Sequence, residues 1–427
     1  MKKQSLSCAL GGAAIALGLS LAGSAWAGSV TYPGPGVTLQ DLSSYPEGYT
    51  DSLAPAGSAS GKSSSLSGNT VTLLRGDAVP GDVYGAINLN DTAAISGNKV
   101  YINGDVGRWV NGGYLYYGDT PAADVSVSGN SVALDAGRVN AWVSGGIVVN
   151  ADTGGATSTG NSVILTGAKV DLCVEGGNAH SGSGAATVLN NTVTIMAGTV
   201  SGIVWGGLAE TNIGTAVASN NAVAISGGTL NGAVVGASAV GGAATASNNT
   251  VTISGTPVFG ATTQLYGGKA FGGISTGNTL KFHSTGLTVG HLGDFQNLNF
   301  YLPTTLTPGD TLLAVTDTAD ITNATVHVSL DGTSGPTLHV GDTFTFIRAK
   351  TLNAAGITPL TGMIGGFTYT LKANSNQLVL RIDNPLPPAP TMGALAIGEG
   401  AVLALGTLFL AGLVLVAPRR GRYQAGA

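Results

Sequence analysis

A chain of 427 residues with 43% hydrophobic side chains has ample material for a core, which argues against disorder driven by polarity and charge. Only 9% of its residues are charged and 68 are glycine, where an ordinary soluble chain has roughly 25% charge and about 7% glycine. The solvent face must therefore be built from Ser, Thr, Asn and Gly. A formal net charge of −5 without a basic cluster excludes an electrostatic nucleic-acid binder.

Residues 1–27 read as a secretory signal peptide. Lys2 and Lys3 start it, an apolar stretch follows from Cys8 to about Ala22, and Ala25-Trp26-Ala27 is a small-x-small cleavage site. Cleavage between Ala27 and Gly28 is expected. The only cysteines are Cys8 and Cys173, so the mature chain keeps one and has no internal disulfide. Residues 28–66 are rich in Gly, Ser and Pro and are expected to be loosely ordered, with one capping strand.

From 67 to 292 a motif recurs: Ser/Asn, Gly/Asn, Asn, then x-Val-x-Ile/Leu. Its Asn stands at 69, 98, 130, 161, 191, 221, 249 and 278, so successive copies lie 28 to 32 residues apart. A fixed period of this length means a solenoid. The position two after each Asn is Val71, Val100, Val132, Val163, Val193, Val223, Val251 or Leu280. The position four after it is Leu73, Ile102, Leu134, Leu165, Ile195, Ile225, Ile253 or Phe282. Alternation with period two predicts a strand with one buried face, and no apolar pattern at helical spacing competes with it. Each repeat then offers two more short apolar pieces, such as Gly198-Thr199-Val200 and Gly202-Ile203-Val204-Trp205, separated by glycines that permit bends. A variable Gly/Ala/Ser/Thr loop leads to the next Asn.

This predicts an all-β fold, a right-handed parallel β-helix of about eight rungs, each with three short strands and one longer loop. At about 4.8 Å per rung the rod is roughly 40 Å long. The recurrent Asn is assigned to a turn ladder or a left-handed corner, a structural role rather than a ligand site. Residues 293–382 lose the repeat but keep strand patterns, and are expected to form a β-rich cap, sandwich-like or of irregular rungs. A proline-rich spacer covers 383–391. The segment 392–417 includes a charge-free stretch from Ala401 to Ala417 and is expected to be a transmembrane helix. Arg419, Arg420 and Arg422, within 418–427, place that end in the cytoplasm.

The repeats resemble the passenger domains of bacterial autotransporters, with their Asn-x-Val-x-Ile and Gly-Gly units. Residues 293–382 are similar to the β-rich region that precedes the membrane barrel in that family, on Phe300-Tyr301-Leu302-Pro303 and Gly341-Asp342. No barrel sequence follows here. Ala389-Pro390-Thr391-Met392-Gly393, the apolar helix and the arginines instead resemble the sorting tails of exosortase-processed envelope proteins, with Met392 where leucine is usual. The resemblance implies an exported passenger without its barrel, delivered with the help of a sorting protease.

Chemistry is sparse along the repeats. Many β-helices cleave polysaccharides with clustered carboxylates. Here Asp135, Asp152, Asp171, Glu175 and Glu210 are scattered, and the offsets of the first four from the repeat Asn differ too much for one groove. No histidine spacing suits a zinc site, and no phosphate-binding loop is present. Arg75-Gly76-Asp77 is the one short motif with an adhesive reading; a polar turn is the bland alternative. Trp109, Tyr114, Tyr116, Tyr117 and Trp142 would stack on sugars if they face outward, and are core if they face inward.

The expectation is an exported envelope or surface protein with a structural or adhesive role, without catalysis, cofactor or metal. The expected partners are an extracellular polymer, a glycan or a host or neighbouring cell surface, and the membrane through the C-terminal helix; nucleic acid is not among them. The alternatives are a carbohydrate-active β-helix enzyme and a degenerate passenger without activity.

Overall fold

The computed structural model describes residues 29–32, 52–54, 66–89, 92–118 and 123–386. The signal peptide with Ala27 and Gly28, most of the proline-rich spacer and the expected transmembrane segment 392–417 lie outside these residues. Among the described residues no helix is long and apolar enough to cross a membrane. All but Leu386 belong to one compact unit that ends at Pro385.

The fold is an all-β parallel solenoid of about nine turns. Each regular turn contributes a strand to each of five parallel sheets, which we call faces 1 to 5 in chain order. The turn that begins at Asn191 shows the pattern. Thr192–Ile195 lies on face 1, Thr199–Val200 on face 2 and Val204–Trp205 on face 3. Leu208–Thr211 lies on face 4 and Thr215–Ser219 on face 5. The three expected strands are present, and the variable loop is two more. Its strands are hard to see in sequence because their inward residues are mostly alanine, which gives little hydrophobic contrast against Gly, Ser and Thr.

Two cores run side by side. Faces 1 to 3 enclose the larger one, with Val193, Ile195, Val200 and Val204 in this turn and their equivalents above and below. Faces 4 and 5 enclose a thinner one of small side chains, including Ala179, Ala186, Ala209, Ala216, Ala218, Ala239, Ala244 and Ala246. We call this two-layered part the arm.

The recurrent Asn stands at the waist between the cores, fully buried. Each side-chain oxygen accepts the backbone N–H and the side-chain amide of the Asn one turn earlier; for Asn161 onto Asn191 these bonds are 2.8 and 3.0 Å. The amide also donates back to a face 5 carbonyl, as Asn191 does to Ser158 at 3.1 Å. The ladder therefore satisfies polar groups where two sheets diverge and cannot bond each other. Of the two roles foreseen for this Asn, the structure selects the ladder. The left-handed corner belongs to the residue before it: Gly68, Gly97, Gly129, Gly160 and Gly277, or Asn190, Asn220 and Asn248 at φ 56 to 57°. Only Gly and Asn tolerate that backbone readily.

The Gly-Gly pairs answer the same ladder. A Cβ on Gly177 would stand 2.6 Å from Cγ of Asn191 and 2.5 Å from Oγ of Ser158. These glycines have ordinary φ, so close approach requires them, rather than the sharp bend expected from sequence.

At the N-terminal end Ser29–Tyr32 pairs in parallel with Thr70–Leu73, adding a turn before the first repeat. At the other end the ladder stops at Gln296, whose Oε1 takes the backbone N–H of Asn278 at 2.9 Å. Beyond it the arm is gone, but face 1 continues through Asn297–Leu302 and Thr325–Leu330. Face 3 continues through His291–Gly293, Thr311–Asp320 and Thr343–Asn353 in parallel. Three antiparallel strands, Gln377–Pro385, Phe367–Ala373 and Thr361–Ile364, then extend face 3. Phe282, Phe300 and Phe346 fill the wider interior here, with ring centroids 6.1 and 4.6 Å apart.

Candidate binding groove

Along face 3 every second side chain points away from the core. Val83, Val110, Val143, Val174 and Val204 are core, so their neighbours on either side face outward. One outward column runs Tyr84, Asn111, Ser144, Glu175, Trp205, Val235 and Tyr266 in strict register. The residues preceding each valine form a second column with Asp82, Trp109, Trp142, Cys173 and Ile203.

Face 4 behaves likewise. Leu115 and Tyr117 point into the alanine core, so Tyr114 and Tyr116 point out. The outward columns are Ile87, Tyr114, Ile147, Asn178, Leu208, Ser238 and Lys269, and beside them Leu89, Tyr116, Val149, His180, Glu210, Val240 and Phe271.

Outward side chains of face 3 touch those of face 4. The rings of Tyr84 and Tyr114 meet edge to face at 6.0 Å, and Asn178 Nδ2 donates to Glu175 Oε2 at 3.0 Å. Two faces whose outer surfaces contact each other form a re-entrant angle along the solenoid with the Gly-Gly pairs at its hinge, and this narrow groove is filled by its own side chains: Tyr84, Asn111, Tyr114, Ser144, Glu175 and Asn178 are all buried.

The groove changes character along its length. Its first turns are apolar and aromatic: Tyr84, Ile87, Leu89, Tyr114, Ile147 and Val149 pack together, with Tyr116 beside them. On the face 3 wall Trp109 and Trp142 stack at 6.0 Å with an interplanar angle of 18°. Arg108 lies 5.1 Å over Trp109 and 3.6 Å from Asp82. Burial pushes the Asp82 carboxyl up, against the opposing pull of the Trp109 backbone N–H, Arg108 and Tyr84.

The middle is polar. Asn111, Ser144, Glu175 and Asn178 are buried. Asn111 Nδ2, Ser144 Oγ and Asn178 Oδ1 have no hydrogen-bond partner. Next to them His180 and Glu210 are register partners in consecutive turns. Burial lowers the imidazole pKa and raises that of the carboxyl.

The last turn carries a charged cluster. Lys269 Nζ sits 3.6 Å over the Tyr266 ring, and His291 lies 5.2 Å from it. Burial, helped by the negative Asp294, pushes the Tyr266 hydroxyl up to about 12.

Comparisons with protein-family models, with curated proteins and with solved structures found no match. The groove is therefore read from its own residues alone.

The residues singled out from sequence are dispersed. Arg75 and Gly76 are exposed and Asp77 half-buried, in the turn between faces 1 and 2, with Gly76 at φ 84° and Asp77 N–H donating to the Leu74 carbonyl at 3.3 Å. That corner is separate from the groove. Asp135 accepts from the Thr166 hydroxyl. Asp171 is ion-paired with Arg138 and Lys169 on face 2. Asp152 follows the face 4 strand Ile147–Asn150 in the arm. Glu175 is fully buried on face 3, where it accepts from Asn178, and Glu210 is half-buried on face 4 in register with His180. Of the five aromatics, Trp109, Trp142 and Tyr116 are half-buried on the outer side of their faces, while Tyr114 and Tyr117 are buried, Tyr114 between faces 3 and 4 and Tyr117 in the alanine core. Among the described residues no group of three or more His, Cys, Asp or Glu could hold a metal.

Proposed function

We propose that this chain is an exported envelope protein that acts as a structural and adhesive rod on the cell surface, without catalysis. One observation carries this reading. The outward column of face 5 runs Ser126, Thr157, Thr187, Val217 and Thr245 in register. Like residues stacked over like, with few charges, make a long uniform surface suited to lateral contact. The signal peptide with its Ala27–Gly28 junction, and the sorting tail similar to those of exosortase-processed proteins, supply the route. The Arg75-Gly76-Asp77 turn supplies a second, exposed contact point.

The test is intact mass and cell fraction in the native host. A mass matching 28 to about 390, in the outer envelope or medium, supports the proposal. A mass matching 28–427 in the inner membrane overturns surface display. His180 and Glu210, half-buried register partners in consecutive turns of face 4, favour a second reading, a carbohydrate-active enzyme. Release of reducing ends from a polysaccharide by the purified protein would establish it.

A further inference from the structure

We propose that the free end of the arm is a dimerisation edge, where a second copy of this chain adds antiparallel strands to faces 4 and 5 at once.

The edge arises from the way the solenoid ends. Faces 1 and 3 run on into the cap. Among the described residues, Lys269–Phe271 and Ile274–Thr276 are the last strands of faces 4 and 5. One turn earlier the inward residues Ala239 and Ala246 are fully enclosed. Their register partners on the last turn, Ala270 and Ser275, are only half-buried. Phe271 and Ile274 are 47% and 64% exposed. The opposite end of the arm is covered, because buried Ala54 joins the cluster around Ile87 and Leu89, and buried Leu66 joins that around Ile95. An open strand edge is a template for another chain, and charged side chains commonly block it. Lys269 is the only charged residue of the two strands, and its ammonium is drawn aside over the Tyr266 ring at 3.6 Å.

Backbone direction and register make this edge complementary to itself. Lys269 donates its N–H to the Ala237 carbonyl, and the Thr276 carbonyl accepts from the Asn248 N–H, both at 2.9 Å and both toward the preceding turn. Successive residues of a strand address its two neighbours alternately. Ala270 and Ser275 therefore present their backbone groups to the open side, where the Ala270 carbonyl meets only a long 3.4 Å bond from Gly273. Each is the middle residue of its three-residue strand, and Gly272 and Gly273 join the two strands at the tip. Both stand at the same remove from the tip, so one two-fold axis crosses the arm through both.

That axis pairs each strand with its own copy, antiparallel. Ala270 and Ser275 become hydrogen-bonded pairs with their counterparts. Lys269 then stands opposite Phe271, and Ile274 opposite Thr276, in the closer pairs that share no hydrogen bond. All four lie in outward columns, where aromatic, β-branched and long side chains stabilise antiparallel strands. The same rotation reverses the direction from hinge to tip. Each cap then lies beyond the other copy's tip, and the two do not collide. Two three-residue strands per copy bury less than a standard interface of about 1,600 Å². The dimer should therefore be weak, with a dissociation constant of about 1–100 μM.

The test is sedimentation velocity of the protein as exported, from about 1 to 200 μM. The expected result is a reversible monomer–dimer equilibrium that stops at the dimer. Phe271→Lys sets like charges opposite each other on the edge and should weaken association about ten-fold or more, with an unchanged far-UV spectrum. The double variant Lys269→Cys, Phe271→Cys should oxidise to a disulfide-linked dimer, because the axis brings the two positions to about 4.5 Å between Cα atoms. Cys173 is buried and does not compete. A monomer throughout that range, growth beyond the dimer, a Phe271→Lys protein that associates as the parent does, or a double variant that yields no covalent dimer would each overturn the proposal.

Discussion

Replacing one ladder residue tests the argument that buried amide pairing, more than strand hydrophobicity, holds the waist together. Asn191 accepts from the Asn161 backbone at 2.8 Å and from its amide at 3.0 Å. It donates to the Ser158 carbonyl and to Asn221 Oδ1, both at 3.1 Å. Alanine removes all four bonds and leaves a buried backbone N–H without an acceptor. At a net of roughly 1 kcal/mol per bond the loss is about 3–5 kcal/mol. The end of the ladder is a built-in control. Gln296 takes two bonds, from the backbone and the amide of Asn278, so Gln296→Ala should cost about half as much. Because turns couple mainly to their neighbours, amide hydrogen exchange should speed up around residues 160–225 first. Urea unfolding followed by circular dichroism gives the stability. A loss for Asn191→Ala below about 1 kcal/mol, or one no larger than that for Gln296→Ala, would refute the reasoning.

Four further outcomes are expected. Asn190, one residue earlier, is exposed at φ 56°; Asn190→Gly should be nearly neutral in the same assay, while Asn190→Val should cost about 1–2 kcal/mol for the left-handed backbone. Gly177→Ala should destabilise by about 2–4 kcal/mol, because its methyl would press into Asn191 and Ser158 at 2.5 to 2.6 Å. Phe300→Ala should cost about 3–5 kcal/mol, since the ring is fully buried between Phe282 and Phe346. Burial raises the Glu210 pKa above its usual 4.5, so folding favours the protonated form. That stability is present below pH 4.5 and lost as pH rises through the higher folded value. Glu210→Gln should therefore unfold at higher urea than the parent at pH 7, and the advantage should vanish near pH 4.

The solenoid, its rung spacing and its main core were legible because the chain repeats them. An Asn every 28 to 32 residues followed by apolar residues at the second and fourth positions leaves one geometry, a stack of strands in register. The short strands at Thr199–Val200 and Val204–Trp205 were legible for the same reason. The arm was not. Ala209, Ala216 and Ala218 are as buried as Val193 and Ile195, but alanine among Gly, Ser and Thr looks the same in a loop and in a core. The cap was legible as β-rich, yet its continuation of faces 1 and 3 was not, because pairing between Asn297–Leu302 and Thr325–Leu330 depends on a partner supplied by the turn beneath.

The sequence by itself determined periodicity, the inward positions and the ladder residue, since each is a local pattern that stacking repeats. Only the tertiary structure decided which residues share a surface. Glu175 and Asn178, or Tyr84 and Tyr114, lie on different faces. They meet because the Gly-Gly hinge folds the arm back against the main body, and no one-dimensional pattern encodes that angle. The division of labour in the Asn pairs was also a tertiary decision. Asn190 turns the chain and Asn191 bonds the next turn, although the two side chains are identical, because one is exposed at the corner and the other is enclosed between two sheets.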